Sequence, residues 1–380
     1  MIVSLGVMTL AFLYLIFSLF IRRGIKDYPQ TERNDRSVTV IVSARNEAGT
    51  IQACLESLAE LDYPRDLLQI IVVDDRSEDN TRALIAECIR GKSQFRCHAV
   101  AACNPELSGK ANAVARAMKS SVGEIVLITD ADCTVPPQWV RTMTSYFTRD
   151  VGMVAGFTLV NHSNRLFAKL QAFDWAYLLA IGAGAAGLGR PLSCIGNNFG
   201  FRRSVYEEVG GFEAIGFSVA EDFALLKTIA DTTRWRIVFP VDRESLVTSK
   251  PIARPGDFFS QRKRWILGGK SVHWFGKILI SLSVLAHWAI AGALLIGEPL
   301  TVLASAALAL FAGDMLALQP VVSRLGLKDM LKLWPLYKLF FLAYSVGLSA
   351  IVLASRKVVW KGVAYTAQRV VLKNTIRGNR

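Results

Sequence analysis

Glu124-Ile-Val-Leu-Ile-Thr-Asp130-Ala-Asp132 is the stretch on which the fold turns. Its apolar run reads as a buried strand, and two carboxylates close it. Side chains at i and i+2 of a strand face the same way, so both acids are expected to address one point beyond the strand end. Two hard oxygen ligands there suit Mg²⁺ or Mn²⁺, which leave open positions for diphosphate oxygens. An aspartate-rich turn after a buried strand would give the same letters, so the neighbouring sequence has to decide.

That sequence alternates short strands with helices from about residue 36 to 270. Residues 38–42 and 70–73 are β-branched runs, and a weaker strand falls near 97–101. Helical spacing covers 51–61, 79–89 and 110–119. Strand–helix units of this length imply an α/β fold, a mainly parallel sheet with helices on both faces. Ligands in such sheets bind beyond the carboxyl ends of the strands. The polar clusters at 43–47, 74–79 and 130–132 all fall there.

The ends differ in character. The chain is 52% hydrophobic with mean hydropathy +0.33, above the usual share for a soluble domain. Residues 2–21 carry no charge and are long enough to cross a bilayer. With no basic residues ahead and no cleavage site after it, segment 1–22 is expected to be a retained anchor. Arg22, Arg23 and Lys26 then place the following domain in the cytoplasm. Towards the other end, 278–297, 300–318 and 339–354 are apolar, giving about three spans within 278–355. An odd number of spans puts the tail 356–380 outside, whereas its many basic residues argue for the cytoplasm; a re-entrant stretch would reconcile them. Between these regions, 164–182 carries an apolar stripe suited to a core helix or to one lying in the membrane interface.

The net charge is +13. Much of it flanks apolar segments, which favours a lipid surface, and nothing resembles a nucleic-acid motif. The six cysteines have no zinc or redox spacing and are expected to be free thiols.

Further chemistry-bearing residues follow the strands. Asp74 and Asp75 end the second one, suited to a base N–H or to loop solvation. Gly109-Lys110 opens a helix, where amides and an ammonium suit phosphate. Glu221-Asp222 heads another helix, where acids also serve as caps. Gln261, Arg264 and Trp265 share a helix face, setting a bidentate cation beside a large aromatic surface.

Taken together, these motifs resemble inverting family 2 glycosyltransferases of GT-A fold. The match runs through Ser43-Ala-Arg-Asn-Glu47, Asp74-Asp75-Arg-Ser-Glu-Asp79, Gly109-Lys110-Ala, Asp130-Ala-Asp132, Gly210-Gly-Phe212, Glu221-Asp222 and Gln261-Arg-Lys-Arg-Trp265. The flanking spans look like membrane-bound branches that glycosylate lipids, such as ceramide-type glucosyltransferases. The resemblance implies a nucleotide-sugar donor, a UDP-sugar, held by Ser43, Ala44, Asn46, Glu47, Asp74, Asp75, Lys110 and Asp130. Asp75 would bind the uracil ring, and Asp132, helped by Asp130, the Mg²⁺ or Mn²⁺ ion. Asp222 would be the catalytic base beside Glu221, and Arg264 would steady the departing diphosphate. Gln261, Trp265, Asn197 and Asn198 would form the acceptor side, and the pocket shape around Asn197, Asn198 and Phe199 would select the donor sugar. Ser43 stands where many members have proline. In Trp360-Lys-Gly-Val-Ala-Tyr365, Val363 replaces the arginine of a lipid-acting ending.

The expected activity is transfer of one sugar to a lipid acceptor at the cytoplasmic leaflet, in a bacterial inner membrane. A processive polysaccharide synthase shares the Gln-x-x-Arg-Trp element, but about three spans are few to wall a channel. A non-catalytic membrane scaffold or nucleotide-sugar sensor would be expected to lack some of these acids.

Overall fold

A computed structural model describes residues 1–32, 36–100, 107, 109–161, 165–354, 357–360 and 363–366. The first half follows the alternating pattern: α1 (Ile2–Gly24), β1 (Val38–Ala44), α2 (Ile51–Ala59), β2 (Leu68–Asp74), α3 (Thr81–Cys88), β3 (Phe95–Ala99), α4 (Lys110–Met118) and β4 (Ile125–Asp130). Then come β5 (Cys133–Thr134), α5 (Trp139–Ser145), β6 (Val151–Ala155), β7 (Thr158–Val160), α6 (Leu166–Gly187), β8 (Phe199–Arg202), α7 (Arg203–Glu208), α8 (Gly211–Ile215), α9 (Glu221–Thr232), β9 (Arg236–Val238), β10 (Val247–Ser249) and α10 (Pro255–Gly268).

The main sheet has the order β3-β2-β1-β4-β8-β6-β9. Its first four strands are parallel. The sheet departs from the parallel pattern at β8, which runs antiparallel to both β4 and β6. Val40, Ile41 and Val42, like Ile70, Ile71 and Val72, are fully buried, because helices cover both faces; hence the continuous rather than alternating apolar runs. β1 lies between β2 and β4, so the chain leaves it in opposite directions to reach its neighbours. That switch point opens a crevice at the carboxyl edge. Register brings Ser43 opposite Asp130 and Ala44 opposite Asp74.

Two boundaries correct the sequence expectation. Helix α3 begins at Thr81, because Asp79 accepts hydrogen bonds from the Thr81 and Ala48 amides and stays outside it. Strand β4 stops at Asp130, and Asp132 lies in the turn before β5. Strand alternation therefore does not orient the two acids together; the turn carries Asp132 to the carboxyl edge. The weak strand is β3, from Phe95 to Ala99, and residues 101–106 lie outside the described set.

Helix α6 is buried on nearly all sides rather than along one stripe. It packs on β7 below and on α1, α12 (Leu300–Arg324) and α13 (Trp334–Ala354) above, joining the sheet domain to the apolar helices. Its crossing with α1 is made by glycines: a Cβ on Gly24 would lie 1.8 Å from the Gly184 carbonyl oxygen, and one on Gly187 1.8 Å from that of Gly24. Small residues permit this backbone approach. Of the two sequence options for this segment, the core helix describes its surroundings, although half of that core is the apolar bundle.

Among the described residues, four helices are long and apolar enough to cross a membrane: Ile2–Gly24, Trp274–Leu295 (α11), Leu300–Arg324 and Lys328–Val352. Helices α1, α11 and α12 pack side by side. Ser4 bonds Glu298, in the α11–α12 turn, at 2.5 Å, and Arg324 meets Asp27 at 3.1 Å at the opposite end. Asp314, wholly buried on α12, receives Tyr14, Trp334 Nε1 (2.6 Å) and Lys338 Nζ (2.7 Å). Satisfying a buried carboxylate in this way fixes how α1, α12 and α13 meet.

Helix α13 turns back towards the sheet domain. Tyr344 and Leu348 pack on Phe258 of α10, and a Cβ on Gly347 would contact Phe259. The hairpin β11 (Lys357–Trp360) and β12 (Val363–Thr366) follows, with β11 beside α10. Of the expected basic tail, 367–380 lies outside the described residues. Cys54, Cys88, Cys97, Cys133 and Cys194 are free thiols, and Cys103 lies outside the described set.

Candidate active site

Beyond the carboxyl ends of β1, β2 and β4 lies a cavity of about 860 Å³. Asp75, Asp132, Asp222 and Arg264, drawn from four separate parts of the chain, all line it. So do Ser43, Ala44, Glu47, Lys110, Asp130, Asn197, Glu221, Gln261 and Trp265.

The loops after β1 and β2 are laced together. Asn46 adopts a left-handed conformation (φ 53°), its amide N–H donates to Ser77 Oγ, and its side-chain oxygen accepts from the Glu78 amide. Asp74 accepts from the Ser77 amide, and the Asp75 amide donates to the Ala44 carbonyl. Asn46 and Asp74 thus shape the crevice from behind, while Asp75 and Glu47 face it. Asp75 is held by Arg76 Nε at 2.9 Å.

Gly109 initiates α4 at φ 63°, a conformation glycine adopts without strain. It points Lys110 across the cavity. The ammonium lies 2.5 Å from Asp130 Oδ1 and 3.8 Å from Glu221 Oε1, and donates to the Gly196 carbonyl. Burial opposes its charge, but the surrounding carboxylates outweigh this and hold the Lys110 pKa above its ordinary value.

Glu221 and Asp222 form the first turn of α9, where unpaired amides favour acids; Asp222 accepts from the Phe223 amide at 2.8 Å. Burial raises the pKa of both, against the lowering pull of Lys110 and Arg264. The two acids also oppose one another's ionisation. A Cβ on Gly196 would stand 3.0 Å from Asp222 Oδ2 and 3.2 Å from Lys110 Nζ. The bare glycine lets the backbone close over both.

On the opposite wall, α10 presents Gln261, Arg264 and Trp265. Arg264 Nη1 donates to the Val219 carbonyl, just before the α9 acids. Asn197 lines the cavity and accepts from Thr158. Asn198 does not: fully buried, it donates to the Phe157 and Ser245 carbonyls and accepts from Trp139 Nε1. It is a scaffold residue.

Sequence reasoning missed much of the far wall. Trp175, Leu178 and Leu179 of α6, Leu192 in the loop after it, Leu279, Ile280 and Val284 of α11, and Phe341, Tyr344 and Leu348 of α13 extend the same cavity. Here it runs between α11 and α13, at the level of the apolar helices. The signal was present as the apolar segments themselves, but which of their faces turn inward depends on packing.

A crevice of paired acids over a β1/β4 switch point, facing an arginine–tryptophan helix, sits in a domain of GT-A fold. The chain belongs to glycosyltransferase family 2: the Glycosyl transferase family 2 profile matches residues 39–210, and the Glycosyl transferase family group 2 profile matches residues 125–355. It is similar to the probable glycosyltransferase YdaM of Bacillus subtilis, 25% identical over 280 residues, covering 70% of this chain and 65% of that protein. It is also 25% identical over 272 residues to the poly-beta-1,6-N-acetyl-D-glucosamine synthase of Staphylococcus aureus, covering 68% of this chain and 61% of that one. The chain therefore spans less than two thirds of the length of either relative. Among solved structures, the mannosyltransferase PcManGT from Pyrobaculum calidifontis, in complex with GDP-Man and Mn²⁺, shares the fold at TM-score 0.59 and 21% identity, covering 90% of this chain and 98% of that one.

Proposed function

We propose that the protein transfers a single sugar, with inversion, from a UDP-sugar to the hydroxyl of a lipid at the cytoplasmic leaflet. One observation carries this reading: the cavity that holds the acids continues without interruption into an apolar groove between α11 and α13. A lipid tail lying in that groove would set its polar end beside Asp222. A soluble acceptor would have no use for such a wall.

Asp75 and Glu47 bind the nucleoside end of the donor in this reading. Asp222 takes the acceptor proton as the acceptor oxygen attacks the anomeric carbon; that bond forms while the bond to the diphosphate oxygen breaks on the opposite face. Its raised pKa makes it a stronger base than a solvated carboxylate. Arg264 meets the negative charge that develops on the departing diphosphate. Lys110 lies between the carboxylates of Asp130 and Glu221 and offsets part of their charge.

Asp130 and Asp132 fit a divalent ion of the Mg²⁺ or Mn²⁺ kind. They are hard oxygen donors that both line the cavity. Among the described residues no group of three or more acids, histidines or cysteines forms a closed cage, so phosphate oxygens would complete the shell. When bound, the ion supplies charge neutralisation to the diphosphate.

The topology follows the same reading. Helices α1, α11 and α12 cross the membrane, while α13 starts beside Asp314, midway along α12, and its later turns and following strand lie back on α10. The chain then returns to the catalytic side, and the basic tail obeys the positive-inside rule.

Val284 and Ser349 line the groove from opposite sides. Val284→Trp and Ser349→Trp are expected to cut transfer to lipid at least about tenfold while nucleotide-sugar binding, followed by calorimetry, stays at wild-type strength. Undiminished lipid transfer in both variants would remove the groove from the acceptor path.

A further inference from the structure

Arg262 stands within the Gln261–Trp265 segment and borders the same cavity, with its guanidinium directed at α6. Its guanidinium is buried and pairs with Asp174 of α6 at 2.5 Å; the two side chains are 4% and 0% exposed. It lies against the rings of Phe258 (4.5 Å) and Trp265 (4.2 Å), and Nη1 donates to Gln261 Oε1 at 2.8 Å. Trp265 in turn contacts Trp175 of α6, 5.7 Å between ring centroids. The second Asp174 oxygen accepts from Tyr337 at 2.8 Å and Tyr344 at 2.9 Å, both on α13. One guanidinium therefore fixes both acceptor-side groups, and one carboxylate ties that guanidinium to the helix forming the far groove wall.

We propose that Asp174 and Arg262 are positioning residues: a buried clamp that sets Gln261 and Trp265 for the acceptor and couples their placement to α13 through Tyr337 and Tyr344. The inference rests on the acceptor reading of this cavity. A plain structural staple would need neither the contact with Gln261 nor the stacking on Trp265, and an apolar pair of similar volume could replace it. Misplacing a substrate-positioning group by about 1 Å costs on the order of 10²-fold in rate.

The test compares Asp174→Leu/Arg262→Met with wild type, which removes both charges together and strands neither. Kinetics are measured with a lipid acceptor in detergent–lipid micelles, alongside donor hydrolysis and thermal melting. The clamp predicts a fall of about 10²-fold in kcat/KM for the acceptor, with the donor KM and donor hydrolysis unchanged. Wild-type acceptor kinetics in a folded double variant would overturn it, as would an equal loss for donor and acceptor. Should that variant melt far below wild type, Tyr337→Phe/Tyr344→Phe decides. It removes only two hydroxyls and is expected to raise the acceptor KM about tenfold, a smaller share of the same displacement; an unchanged acceptor KM would overturn the clamp. If wild type hydrolyses donor but glycosylates no lipid, the acceptor reading itself fails, which is a separate result.

Discussion

Asp222→Asn is expected to lower sugar transfer by about 10³-fold while nucleotide-sugar affinity stays near wild type. The amide keeps the shape of the carboxylate and can still accept from the Phe223 amide, so the fold and α9 are undisturbed. What it loses is the ability to take a proton. The pH profile of the wild-type enzyme should agree. A base works deprotonated, so activity falls as pH drops through its pKa. Burial lifts that pKa above the usual carboxylate value, so the acid limb of kcat should lie above the range of about 4 that an exposed aspartate gives. In Asp222→Asn that limb should disappear from the residual rate. Stopped assays of nucleotide release across pH, with calorimetric titration of the donor, measure both effects.

Arg264→Ala should cost about 10²- to 10³-fold in kcat, the usual effect of removing one preorganised group from developing charge. The loss should fall on kcat more than on donor KM, because the charge it meets appears as the bond to diphosphate breaks. Arg264→Lys should recover only part of it. The guanidinium Nη1 donates to the Val219 carbonyl and so holds the segment before Glu221, a fork that a single ammonium cannot reproduce. Full activity in the lysine variant would show that only point charge matters there.

Much of this arrangement was legible in the residues. The runs ending at Ala44, Asp74 and Asp130 were continuous and β-branched, because helices bury both sheet faces, and that pattern is read without partners. The acids at their ends followed from the general place of ligands in parallel sheets. Asp132 reached the cavity for a different reason than strand alternation suggests, since a turn, which apolar periodicity does not encode, carries it there. Asn46, Asp74 and Asn198 carried motif letters, yet their side chains bind Ser77, Glu78, Phe157 and Ser245 in the scaffold. Those partners lie up to several tens of residues away, so only the folded chain reveals them.

The clamp at Asp174 and the groove wall on α13 were hidden for the same reason. Asp174 interrupts an apolar segment, and its counter-charge is 88 residues along the chain. The course of α13 was equally closed to hydropathy, which measures length and polarity but not direction. Contacts of Tyr344 and Leu348 with Phe258 turn that helix back to the catalytic side.

The central claim is that nucleotide-binding acids and a bilayer-level groove form one reaction chamber. Mass spectrometry of lipid extracts from cells expressing wild type or Asp222→Asn tests it most directly. A lipid bearing one added sugar, present with wild type and missing with the variant, is the predicted result. A ladder of polymer lengths, or sugar transferred only to water-soluble products, would contradict it.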